Sequence, residues 1–278
     1  MIKLQLNQYH LVENALEKVP INTLFAKAVI NVRVHGEVYV DSSTKPSIFY
    51  IVNPCGMSLL FGNTNDPSFN AALINYMINK EKSRENYEWL QVYPDSWKSV
   101  IETGLGNQLV RLQDVNTRVQ NGAAVIEKIR VNFKFCRDFY DNFLQTQGQL
   151  HEYEIIPITK ETFCQLNGSV APKDYWDSAD QFCRDGMGYT LMYNGEIASS
   201  AFAAFRTETQ LEIGVETREK HRGKGFAKFV CFIMIQYCIE NDLEPVWACR
   251  EENTGSYELA QKLGFVFACR IPYYRLAI

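Results

Sequence analysis

The chain has 278 residues, 46% of them hydrophobic, with a formal net charge of −4 at pH 7. That composition excludes a disordered chain, and the acidic balance excludes the basic surplus that a nucleic-acid footprint requires. Eight cysteines without a Cys-x-x-Cys pair, no signal-peptide core before Pro20 and no apolar run longer than residues 229–235 lead us to expect a reduced, soluble, cytoplasmic protein that does not enter a membrane.

The first half alternates helix and strand signals. Residues 11–28 read as a helix and 32–41 as a strand. Residues 47–52 and 57–61 form two strands around the turn Asn53-Pro54-Cys55-Gly56. A helix over 69–79, a strand over 88–93, a helix over 95–101 after Pro94 and a strand over 125–135 follow, with Gly104-Leu105-Gly106 as a turn. His35-Gly36-Glu37 followed by Pro54-Cys55 begins like a zinc deaminase signature. Its last ligand position holds Ser58, where zinc needs a thiolate, so the histidine reads as a strand residue and the cysteine as a loop residue. Between residues 143 and 151 Gln145, Gln147, Gly148 and Gln149 mark a linker, which suggests domains over 1–145 and 150–278.

The second half opens with a strand over 153–158 and helices over 160–166 and 176–184. Strands over 188–193 and 196–205 are joined by Asn194-Gly195, a strong hairpin signal. In residues 211–217, Leu211, Ile213 and Val215 share one face, and Gly214 between them predicts a bulge or a close backbone approach. A charged turn, Arg218-Glu219-Lys220-His221, leads into Arg222-Gly223-Lys224-Gly225-Phe226-Ala227. The period then becomes helical through Val230, Ile233, Met234 and Tyr237, so a helix runs over about 224–240. A short strand over 245–249 precedes Asn253, a good helix N-cap. Leu259 and Leu263 share a helical face, Gly264 ends the helix and Phe265 opens a strand.

Strand, basic glycine turn and helix start together build an anion site. First-turn N–H groups lack intrahelical acceptors, the helix dipole favours negative charge there, and Gly223 and Gly225 let a phosphate approach the backbone. Arg222, Lys224, Lys220 and His221 add charge or donors. The alternative is a polar β–α loop whose glycines only turn the chain. A Walker loop is excluded because Gly223-Lys224 is followed by Gly225. A dinucleotide fingerprint is excluded because Lys228 stands where its third glycine belongs.

Two elements, Arg-x-x-Gly-x-Ala (Arg222, Gly225, Ala227) and Asn-x-x-Ser-x-x-Leu-x-x-x-x-Gly-Phe (Asn253, Ser256, Leu259, Gly264, Phe265), give residues 152–278 a sequence that resembles the GNAT superfamily of acetyl-CoA-dependent N-acyltransferases. The resemblance implies a GNAT-like α/β fold with a mixed sheet and acetyl-CoA as co-substrate without a metal. It also implies direct attack by the primary amine of a small molecule in a ternary complex. By resemblance, Ile213, Gly214 and Val215 pair the pantetheine arm, and the amides from His221 through Arg222, Gly223, Lys224, Gly225 and Phe226 to Ala227 take the pyrophosphate. Asn253 and Ser256 contact the rest of the arm, with Asn253 as a mere helix cap the alternative.

The chemistry needs a base for the amine and a donor for the oxyanion, the latter from a strand N–H near Val215. Glu212 is the candidate base and Glu216 the second, the alternative being that both are solvated strand carboxylates. The family's acid position holds Ala260 and a base position of some relatives holds Ala248, so Tyr257, Tyr273 or Tyr274 would have to substitute as acid. Those two alanines keep open a second reading, a regulatory module that binds acetyl-CoA without turning it over. Asp174, Asp177, Asp180 and Asp185 favour a cationic acceptor or are a solvated helix face. The first half is expected to be a degenerate copy of the same fold without the glycine turn, or else an unrelated α/β domain.

Overall fold

The computed structural model describes residues 1–111, 124–146 and 153–278. In chain order these residues form β1 (Ile2–Lys3), α1 (His10–Leu16), α2 (Leu24–Ile30), β2 (Glu37–Val40), β3 (Ile48–Val52), β4 (Met57–Gly62), α3 (Pro67–Met77), β5 (Trp89–Tyr93), α4 (Ser96–Leu105), β6 (Leu109–Arg111) and β7 (Val125–Phe135). There follow α5 (Arg137–Thr146), β8 (Glu154–Pro157), α6 (Lys160–Gln165), α7 (Ala179–Asp185), β9 (Gly188–Tyr193), β10 (Glu196–Arg206), β11 (Gln210–Thr217), α8 (Phe226–Glu240), β12 (Glu244–Arg250), α9 (Thr254–Lys262) and β13 (Phe265–Arg275). They divide into two compact units. The first comprises Met1–Asn132, Arg250–Glu252 and Cys269–Ile278, and the second Phe133–Cys249 and Asn253–Ala268. The last strand, β13, therefore begins in the second unit and ends in the first.

Three expectations change here. The helix read over 11–28 is two helices, because Pro20 lies between α1 and α2 and has no amide to donate. The helix read over 176–184 starts at Ala179, where the Ser178 side chain accepts from the Gln181 N–H at 3.1 Å and sets the first turn. Gly104 lies inside α4, which ends at Gly106 with φ +49°. Of the Gln-rich stretch, residues 143–146 belong to α5 and 147–152 lie outside the described residues.

In the first unit β1, β2, β3 and β4 run antiparallel in sequence, β5 adds parallel to β4, and Tyr273–Arg275 of β13 pairs antiparallel with β5. Leu60, Leu90, Val92 and Tyr274 pack in one buried cluster with Phe69, Leu73 and Met77 of α3 and Trp97, Ile101 and Leu105 of α4. Each such side chain contributes about 1.5–3 kcal/mol on burial. Arg84 ties the chain end into this unit, donating to Tyr76 O and Ala277 O. Glu88 accepts from the hydroxyls of Tyr76 and Tyr50.

In the second unit β8, β9, β10 and β11 are antiparallel and β12 is parallel to β11. The apolar helix α8 packs across β9, β10 and β11. Asn194 (φ +52°) and Gly195 (φ +78°) make the tight β9–β10 turn that Asn-Gly favours. The bulge lies in β10, not at Gly214. The register passes from Ala203 opposite Ile213 to Phe205 opposite Glu212, leaving Ala204 extra. Gly214 is the close approach instead, since a Cβ there would stand 2.8 Å from the Phe202 ring.

Candidate donor and acyl-transfer site

The site starts from a strand that outruns its neighbour. β11 and β12 pair only at Gln210–Glu212 with Glu244–Val246, although β11 continues to Thr217 and β12 to Arg250. Beyond Glu212 the two strands part. Alternate residues of 213–217, the stretch with Ile213, Gly214 and Val215, therefore turn N–H and C=O groups toward a widening gap while the others pair with β10. Glu212 is the last β11 residue paired across to β12, so it stands at the apex of the gap. Its side chain is 6% exposed.

After Thr217 the chain makes one 3-10 turn, Glu219–His221. That turn uses the His221 N–H on Arg218 O (2.8 Å) and the Arg222 N–H on Glu219 O (3.1 Å), so these two amides are withdrawn from the anion site expected over 221–227. The usable set begins at Gly223. Gly223 (φ +77°) and Gly225 (φ +79°) are left-handed, and among the described residues no heavy atom lies within 4 Å of where a Cβ would stand on either. A side chain at such a φ would cost roughly 1–2 kcal/mol. Gly225 is the N-cap of α8 and the first turn carries no acidic residue. The first bond into the helix runs from Lys228 N to Gly225 O at 3.1 Å. Among the described residues the N–H groups of Gly223, Lys224, Gly225, Phe226 and Ala227 have no acceptor.

The surrounding side chains divide into holders and supports. Arg222 is held at the rim, its Nε 3.1 Å from Thr217 O and a terminal nitrogen 3.2 Å from Glu216 Oε1. Lys224 Nζ lies 4.9 Å from the Tyr193 ring centroid. Lys220 is ion-paired with Glu196. His221 turns inward, 5% exposed, edge-on to Tyr193 at 5.7 Å and near Phe226, so its ring supports the turn and does not face the open side of the loop. Phe226 is likewise a plug, packed on Tyr193 and Tyr153, and only its N–H belongs to the anion site.

Glu216, the second base expected from sequence, is engaged. Its Oε2 accepts from Ser169 N (3.0 Å), Ser169 Oγ (2.7 Å) and Val170 N (3.2 Å), while Oε1 takes Arg222. A Cβ on Gly168 would stand 2.7 Å from Glu216 Cγ, which explains the glycine there. Sequence reasoning missed this clamp, because its partners lie 46 and 47 residues away and carry no motif. Asn253 caps α9 through Oδ1 on Ser256 N (3.2 Å), and Ser256 Oγ accepts from Trp247 Nε1 (3.2 Å). Both side chains thus have structural work. Tyr257 packs edge-on to Phe133 at 5.1 Å. Ala260 is fully buried, and Tyr274 is buried in the core of the first unit, where burial pushes its hydroxyl pKa well up.

Among the described residues no group of three or more His, Cys, Asp or Glu side chains could hold a metal ion, and no helix is long and apolar enough to cross a membrane. The open glycine cradle and its five unpartnered amides fit a diphosphate, which several converging donors hold better than any single charge.

The chain is similar to known proteins over most of its length. An uncharacterised N-acetyltransferase of Bacillus subtilis (strain 168), YdfB, is 26% identical over 241 residues, covering 87% of this chain and 85% of its own. A solved GCN5-related N-acetyltransferase-like protein from Streptococcus suis 89/1591 has a TM-score of 0.70 at 20% identity, covering 97% of this chain and 98% of that one. A tandem GNAT protein from the clavulanic acid biosynthesis pathway has a TM-score of 0.61 at 11% identity, covering 99% and 97%. The two solved structures show the GNAT-like α/β fold across the chain. A family model described as GNAT acetyltransferase matches residues 14–274, so the chain belongs to the GNAT acetyltransferase family and is an acyltransferase.

Proposed function

We propose that the donor is acetyl-CoA and that the acetyl group passes to the primary amine of a small molecule by direct attack in a ternary complex. The observation that carries this reading is the run of five unpartnered N–H groups at Gly223–Ala227 on a loop open at both glycines. The amides of that run, with Arg222 and Lys224 at the rim, would hold the diphosphate. Ile213, Gly214 and Val215 on the unpaired edge of β11 would pair the amide-bearing arm as a further strand. When bound, the coenzyme supplies an activated thioester.

The protein's own part is to orient the amine and take its proton. Glu212 is the residue for that step. It lies at the apex where the strands part and is the carboxylate nearest the point where the gap opens in the strand register. No tyrosine stands at the acid position, which Ala260 fills. A thiol of ordinary pKa leaves without a dedicated acid. The test is to supply acetyl-CoA with polyamines, aminoglycosides, amino acids and peptides and to follow thiol release. Release that depends on an amine supports the reading. Tight binding without acceptor-dependent release across the whole panel removes it.

A further inference from the structure

Glu216 is held from two sides, and its partners come from two different parts of the second unit. Oε1 faces the donor loop through a terminal nitrogen of Arg222, at 3.2 Å. Oε2 faces the bend 168–170 between α6 and α7, where it accepts from Ser169 N, Ser169 Oγ and Val170 N. The bend sits so close that Gly168 has no room for a Cβ beside Glu216. The Glu216 side chain is 13% exposed and that of Arg222 60%. One half-buried carboxylate thus joins a rim cation to two backbone N–H groups of a distant bend.

That bend leads onto the strand face where the proposed base stands. Glu212, Gly214 and Glu216 alternate along β11 and so share one face. Opposite them on β10 stand Phe205, Phe202 and Ser200, and cross-strand partners lie on the same side of a sheet. From the bend the chain passes through a 3-10 turn, Pro172–Asp174, to Tyr175 and Trp176. The Tyr175 ring lies edge-on to Phe205 at 5.3 Å and tilted against Phe202 at 5.7 Å. Trp176 Nε1 donates to Ala203 O at 2.7 Å. Residues 168–176 therefore cross the Glu212 side of β10 and β11, fastened at Glu216 at one end and at Phe202, Ala203 and Phe205 at the other.

We infer that Glu216 is a positioning residue that couples the diphosphate loop to segment 168–176, so that donor binding tightens the segment crossing the Glu212 face. The inference rests on the donor-site reading and deepens it. A guanidinium carries several N–H donors in a rigid fork. Arg222 places Nε on Thr217 O and a terminal nitrogen on Glu216 Oε1, which leaves further N–H groups for a diphosphate. An exposed ion pair by itself holds little. A diphosphate that fixes the guanidinium also fixes the carboxylate behind it, and the Ser169 and Val170 N–H groups then open less often.

The test is hydrogen exchange at the Ser169 and Val170 amides of the full-length chain, with and without saturating coenzyme A, beside calorimetry. Coenzyme A should slow both amides by about fivefold or more. Glu216→Gln keeps an oxygen for Ser169 and Val170 but turns an NH2 group toward Arg222, donor against donor, and so cuts the bridge at one point. With coenzyme A again at saturation, that variant should keep the slow exchange of the free protein and lose the further slowing. Arg222→Ala cuts the same link from the other side, and decides alone should Glu216→Gln not fold or not hold the bend. A merely structural Glu216 would leave the coenzyme-dependent slowing intact in both variants. Coenzyme A that binds without slowing the two amides overturns the inference, as does equal slowing in either variant. A chain that calorimetry shows not to bind coenzyme A removes the donor-site reading, and the inference with it.

Discussion

The two units answer one structural question in opposite ways at the place where a strand gives way to a helix beside its parallel neighbour. In the first, β4 and β5 stay paired over five positions, from Met57 opposite Trp89 to Phe61 opposite Tyr93. In the second, β11 and β12 part after three. The helix that follows differs in the same sense. The N-terminus of α3 is closed by its own chain, with the Asp66 carboxylate on Phe69 N at 2.9 Å and Pro67 offering no N–H. The N-terminus of α8 has Gly225 as cap, no side chain on its amides and no acid in its first turn. One scaffold thus carries an internal carboxylate where the other leaves room for an external anion. On the proposed reading, function resides in the cap and the strand gap, not in the succession of four antiparallel strands and one parallel strand found in each unit.

Changes at these two helix starts break or sharpen the contrast. The largest effect is expected from Gly225→Glu, which places in the second unit what Asp66 supplies in the first. Coenzyme A affinity should fall by more than roughly 1,000-fold in calorimetry while the fold survives, and an unchanged affinity would remove the site assignment. Next comes Glu212→Gln, at the apex that the first unit lacks. Turnover with saturating acetyl-CoA and amine should drop about 100-fold with coenzyme A affinity retained, and a full rate would end its role as base. Arg222→Ala should weaken coenzyme A binding about fivefold at low salt and less at high salt, since its charge acts from an exposed rim.

In the first unit the matching change is about stability alone. Asp66→Ala should cost about 1 kcal/mol in denaturant unfolding and leave coenzyme A affinity untouched, because β4 and β5 remain paired. An effect of that variant on coenzyme binding would erase the contrast. The smallest effect is set by pH. Burial works to raise the Asp41 carboxyl, but hydrogen bonds from the Ser47 hydroxyl, Ile48 N and Ser47 N outweigh it and hold the pKa below its ordinary value. A pKa lowered in the folded state stabilises above the unfolded value of about 3.9, and that stabilisation is lost as pH falls through the folded value. Asp41→Asn should therefore lower the melting temperature at neutral pH and flatten its fall in acid.

Much of the site was legible in the chain because its signals are local. The change of period from 2 to 3.6 around Gly225, two glycines six and eight residues past a strand end and the two spaced motifs all lie within short windows. The paired turns at Asn194-Gly195 and around Pro54 are equally local. What escaped was set by partners far off in sequence. Nothing in Glu216 announces Ser169 and Val170, and nothing in Gly214 announces the Phe202 ring. The His221 ring reads as a donor until Tyr193 and Phe226 are seen around it.

By itself, then, the sequence determined most of the order of strands and helices, without β1, β6, α5 and the break between α1 and α2, together with the strand–turn–helix around Gly223–Ala227 and the alanine at the family's acid position, Ala260. Backbone preference and hydrophobic period act over a few residues and can be read there. Tertiary structure alone decided that β11 and β12 separate after Glu212, that the bulge falls at Ala204, that Glu216 is a clamp while Glu212 stays at the apex, and that Cys269–Ile278 belong to the first unit. Strand register and carboxylate pairing depend on which distant segments meet, and that is settled only when the whole chain closes its core.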